Sequence, residues 1–201
     1  YALYRGLTAD SPELLFLQIL SVFPTQVLLL VLLWAFVTRL GKLPFLESLG
    51  WGWSPRVGLW LSITLGIVLY GIAAALAKLV GAEETTGLEQ LIKSSLAARY
   101  LIAVLAVFTA PFTEEFVYRG VIYSALQRTI GVKGAVIFVA GLFALIHVPQ
   151  YWPNFGVISA VAMLSIVLTV IRAYTGRILP CVVIHLAFNG IQAIILMVEP
   201  F

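Results

Sequence analysis

Two acids, one arginine, both of the chain's histidines and one asparagine stand inside segments that are otherwise apolar. Glu114, Glu115 and Arg119 share one such stretch, His147 ends a second, and His185 and Asn189 lie within a third. An ionisable group inside a membrane span costs at least about 2.5–3.5 kcal/mol on insertion scales, so it marks a functional site by default. On a helix, Glu115 and Arg119 are i, i+4 neighbours and can pair. Glu114 then projects about 100° away and stays out of that pair. His185 and Asn189 share one face, as do Phe143 and His147.

This set suits hydrolysis. Two histidines and a carboxylate from separate helices (Glu114, His147 and His185) can hold zinc with a fourth position open for water. Such a metal turns its water into a hydroxide near neutral pH. Equally, a carboxylate beside an imidazole can deprotonate water with no cofactor. Both routes stay open at this point. Either brings a nucleophile to a carbonyl, and an Asn189 amide or a histidine N–H would stabilise the oxyanion. Serine chemistry has less support: no Gly-x-Ser-x-Gly occurs, and Ser124 has no evident base. The His-Glu-x-x-His zinc motif is also absent. Each feature alone has a blander reading. Glu115–Arg119 could be a structural pair, His147 a helix-end cap, and His185 with Asn189 interhelical glue. Their concentration within residues 114–189 argues for one site.

The elements that must position these groups are membrane helices. The chain has 201 residues, 62% of them apolar and 10% charged, with a mean hydropathy of +1.06. Soluble domains carry about 45–50% apolar and about 25% charged residues. That gap excludes a soluble enzyme, and intrinsic disorder with it. One cysteine, Cys181, excludes a disulfide scaffold and reads as a small core residue. A span needs about 20 apolar residues. Six are expected: 14–37 with a kink at Pro24, 57–77, 100–127 interrupted by the acids, 134–146, 157–171 after a Pro149–Pro153 loop, and 178–198. Residues 14–37 are too long for a signal-peptide core and lack a small-residue cleavage site. The expected fold is all-α: a polytopic transmembrane bundle of about six spans, one domain over 1–201. Its motif core covers 98–198, with 14–37 and 57–77 as peripheral spans. Within the polar stretch 78–99, which includes Glu83 and Glu84, Leu88, Leu91, Ile92 and Leu96 recur at helical spacing and predict a short interfacial helix.

The three catalytic segments can meet at one depth. At 1.5 Å per residue, Glu114 lies about 20 Å from the Arg128 end of its helix and His147 about 20 Å from Gly134. His185 lies about 10 Å in from Ile178, on the same side. Of the basic residues, Arg39, Lys42, Arg56, Arg128, Lys133, Arg172 and Arg177 collect on that side. Arg5, Lys78, Lys93 and Arg99 collect on the other. The first side is therefore expected to be cytoplasmic. The net charge of +3 is explained by these flanks, so no nucleic-acid partner is expected.

The run Glu114-Glu115-Phe-Val-Tyr-Arg119 resembles the Glu-Glu-x-x-x-Arg signature of the CAAX prenyl protease and bacteriocin-processing family (CPBP, or Abi). Phe143-Ala-Leu-Ile-His147 is similar to its Phe-x-x-x-His motif, and His185-Leu-Ala-Phe-Asn189 to its His-x-x-x-Asn motif, in the same order. The resemblance implies an intramembrane endopeptidase acting on a membrane peptide or lipidated protein. It implies that Glu114 and His147 activate water, that His185 and Asn189 line the oxyanion or bind metal, and that Glu115 and Arg119 pair in support. Metal-dependent and metal-free mechanisms are both compatible with it. The chain is short for the family. The rival expectation is a non-proteolytic accessory, maturation or immunity subunit of a larger membrane complex on the same scaffold. A proton-coupled transporter would need repeats or broken helices that are not evident. The expected location is the bilayer of a bacterial inner membrane.

Overall fold

A computed structural model describes residues 12–81 and 86–198. Arg5, Glu83 and Glu84 lie outside the described residues. Among the described residues six helices are long and apolar enough to cross a membrane. We number all helices in chain order: α1 (Pro12–Val37), the one-turn α2 (Phe45–Ser48), α3 (Leu59–Val80), α4 (Gly87–Ser94), α5 (Leu96–Thr129), α6 (Gly131–Tyr151), α7 (Phe155–Thr175) and α8 (Leu179–Val198). Large apolar side chains point outward all along them, as with Phe36, Leu79, Ile137 and Ile194. That surface suits hydrocarbon, where a helix satisfies its own backbone.

Helices start where side chains can take the orphan N–H groups. Thr86 Oγ1 accepts from Glu89 N at 3.1 Å, Ser95 Oγ from Ala98 N at 3.1 Å, and Asn154 Oδ1 from Val157 N at 2.9 Å. Helix α7 stops at Gly176, whose φ of +67° is the left-handed conformation glycine adopts without strain. The Pro149–Pro153 loop expected from sequence is shorter than that. α6 runs through Pro149 to Tyr151, and the proline there removes one backbone donor from the last turns.

Lipid supplies no hydrophobic drive between helices, so contact relies on small residues that let backbones approach. Gly66 of α3 abuts α8: a Cβ there would sit 2.6 Å from Ile184 O and from Ala187 Cβ. Gly156 of α7 lies equally close to the Ala77 backbone of α3. Leu69, Ala73, Leu164, Leu168, Cys181 and Ile184 fill the resulting α3–α7–α8 core. A second cluster joins Leu33 of α1 to Leu49, Phe116, Ile178 and Val182.

The motif helix α5 departs from regular α geometry in two places. Leu105–Thr109 and Phe116–Ile122 are π-helical, a form that recurs at functional sites. In the first stretch Ala110 N–H bonds Leu105 O, five residues back. The next N–H in that register would be that of residue 111, and Pro111 has none. Ala106 O is thus left over, and Asn189 Nδ2 of α8 donates to it at 2.8 Å. In the second stretch Tyr123 N–H bonds Tyr118 O. Arg119 O, its partner in an α-helix, instead accepts Arg172 Nε of α7 at 3.0 Å. Each irregularity frees a carbonyl, and a side chain from another helix takes it up.

Two basic residues counted above as loop charges are therefore buried. Arg172 also donates to Leu49 O at 3.3 Å, to Ser124 Oγ at 3.1 Å and to Gly176 O, tying α2, α5 and α7 together. Arg99 is buried in the first turn of α5 and reaches Leu196 O at 3.3 Å. The predicted interfacial helix forms as α4, but Leu88, Leu91 and Ile92 line a partly open cavity, and Leu96 already belongs to α5.

Candidate active site

The site is assembled from α5, α6 and α8 around a buried arginine. Arg119 and Glu115 have no exposed surface. Burying a charge is costly unless it is paired and hydrogen-bonded. Arg119 meets that demand: Nη1 donates to Glu115 Oε1 at 2.9 Å, Nη2 to Ser165 Oγ at 2.9 Å and Ser165 O at 3.0 Å, and Nε to Thr169 Oγ1 at 3.3 Å. Its guanidinium also lies 4.7 Å from the centroid of the Phe143 ring. Ser165 and Thr169 were not singled out from sequence. Their signal was present, two hydroxyls one turn apart in an uncharged span, but hydroxyls are common in such spans.

Glu115 does more than hold Arg119. Its Oε1 also lies 3.0 Å from His185 Nδ1. A carboxylate accepts, so Nδ1 carries the hydrogen and Nε2 is turned outward. His147 is fixed in the same sense from another helix. Its Nδ1 lies 2.7 Å from Phe143 O, a carbonyl that can only accept. Phe143 also stacks on that imidazole, with ring centroids 4.4 Å apart. The Phe-x-x-x-His spacing thus supplies both the orienting carbonyl and a packing face.

Glu114 sits between the two free nitrogens. Oε2 is 3.9 Å from His185 Nε2 and Oε1 is 4.0 Å from His147 Nε2. These gaps are too long for direct hydrogen bonds and suit one water shared between carboxylate and imidazole. Glu114, His147, His185 and Asn189 all line one cavity of about 730 Å³. Asn189 spends one of its two amide hydrogens on Ala106 O. Ser124, by contrast, is occupied by Arg172 and has no catalytic neighbour.

The zinc alternative fits the donors poorly. With Zn–N and Zn–O bonds of about 2.0–2.2 Å, tetrahedral ligand atoms lie about 3.3–3.5 Å apart, closer than the 3.9 and 4.0 Å found here. Among the described residues no group of three His, Cys, Asp or Glu side chains is placed to hold a metal.

Residues 96–191 match the family model described as type II CAAX prenyl endopeptidase Rce1-like. The match covers just under half of the chain and takes in all three motifs. No curated protein matches the chain, and no solved structure does. Over those residues the chain is similar to that family, in agreement with the resemblance read from the motifs. The six apolar helices support an integral membrane protein, and the match supports a CAAX-type protease kind of function.

Proposed function

We propose that this protein is an intramembrane endopeptidase in which Glu114, assisted by His147, activates water against a peptide bond presented in the cavity. The observation that carries the reading is the convergence of two oriented imidazoles on the two oxygens of one carboxylate. A water between Glu114 and His147 gives one proton to the carboxylate as its oxygen attacks the carbonyl carbon. The oxyanion is met by the second amide hydrogen of Asn189. His185, held in orientation through Nδ1 by Glu115 Oε1, lines the oxyanion position beside it. As the C–N bond breaks, the leaving amine takes its proton back from Glu114. Water has then been added across the bond and the enzyme is regenerated. Arg119 holds Glu115 in place, and Ser165 and Thr169 hold Arg119 there.

The substrate class we propose is a membrane-associated or lipidated protein or peptide, a reading supported by the similarity of residues 96–191 to a CAAX prenyl endopeptidase family model, and the location we propose is a bacterial inner membrane. The largely apolar cavity wall, including Ala73, Ala77, Ala160 and Leu164, is compatible with a lipidated tail. The test is turnover of a farnesylated peptide by purified protein in proteoliposomes. Cleavage lost in Glu114→Gln supports the proposal. A stable complex with no turnover, indifferent to that substitution, overturns it in favour of an accessory subunit.

A further inference from the structure

The first span carries none of the three motifs, yet it brings one polar side chain to the cavity. The inward face of α1 runs Ile19, Phe23, Gln26, Leu30, Leu33 and Val37, at alternating steps of four and three. Ile19 and Phe23 pack on α5 at Ala98 and Leu105. Leu30, Leu33 and Val37 pack in the cluster containing Phe116 and Leu49. Gln26 stands between these contacts, at a position where the stripe would otherwise be apolar. A glutamine facing protein in a membrane helix usually bonds to a neighbouring helix. Gln26 does not complete such a bond: its Oε1 is buried and has no hydrogen-bond partner among the described residues. The same side chain lines the cavity that Glu114, His147, His185 and Asn189 line.

A buried acceptor left unmade is costly, and a cavity wall is where a guest can complete it. We propose that Gln26 is a substrate-positioning residue whose side-chain amide turns to present Oε1 to the cavity, where it accepts a backbone N–H of the peptide lying beside Glu114. A peptide is the fitting guest because an extended chain brings unpaired N–H groups into a space that offers them few acceptors. The idea rests on the peptidase reading for the identity of its guest, but its test does not require turnover.

The experiment compares binding of a fluorescent farnesylated peptide to Glu114→Gln protein and to Glu114→Gln carrying Gln26→Leu or the length-matched Gln26→Met. Thermal unfolding in the same detergent checks folding. A series of peptides N-methylated at one amide at a time accompanies the measurement. Loss of one hydrogen bond predicts a Kd weakened about three- to tenfold. At one N-methylated position the Gln26 and Gln26-substituted proteins should bind equally, because the donor is already gone. Unchanged Kd, absence of binding to either protein, or an equal deficit at every N-methylated position overturns the proposal. The last pattern would show a packing role only. Wild-type turnover is scored separately, so failure of the peptidase reading is told apart from failure of this one.

Discussion

His185 Nδ1 and Glu115 Oε1 are 3.0 Å apart, and the same oxygen accepts Arg119 Nη1 at 2.9 Å. One carboxylate therefore sets the ring orientation of a histidine on α8 and neutralises an arginine on its own helix. The two adjacent acids of the motif divide the work. Glu115 is enclosed and structural, whereas Glu114 is open to the cavity.

That division makes Glu115 and Arg119 energetically dependent on each other. Removing either partner alone leaves the other charge buried, which costs about 3–5 kcal/mol. Glu115→Gln and Arg119→Met should each lower unfolding stability by that order in detergent titrations. The double variant should lose less than the sum of the two. Additive losses would show that the pair does not interact as described.

The Asn189 amide should be coupled to Pro111 through Ala106 O. Asn189→Ala leaves Ala106 O without its donor and should cost about 1–3 kcal/mol. In a Pro111→Ala background residue 111 regains an N–H, so the same substitution should cost less. A double-mutant cycle on unfolding stability measures the difference, and a coupling of zero would contradict the account of the π stretch.

Much of the site was legible in the sequence, because i, i+4 spacing alone places Glu115 with Arg119 and Phe143 with His147. The convergence of α5, α6 and α8 was legible only as a matching of depths. The two π stretches were not: in a span apolar all round, no hydrophobic face reports a change of register. With them went the structural role of Asn189 toward Ala106 and that of Arg172 toward Arg119 O, since both answer a carbonyl freed by an irregularity. Arg172 sits three residues from the end of α7 and so looked like a loop charge. Gln26 was hidden for another reason. Its meaning lies in an absent partner, which a one-dimensional pattern does not display.

The spacing of the three donors bears on cofactor dependence. Cleavage should persist within about twofold after treatment with a membrane-permeant chelator, and the purified protein should hold well under one equivalent of zinc. Loss of activity on chelation, restored by added zinc, would show that Glu114, His147 and His185 close around a metal in the working enzyme.

The most direct test is the turnover of Glu114→Gln beside wild type in proteoliposomes holding a farnesylated peptide, with unfolding followed on the same samples. General acid–base catalysis contributes about 10²–10⁴-fold. The account predicts a rate reduced by at least about 10²-fold in a protein that unfolds like wild type. A Glu114→Gln protein that is folded and cleaves at the wild-type rate would contradict it.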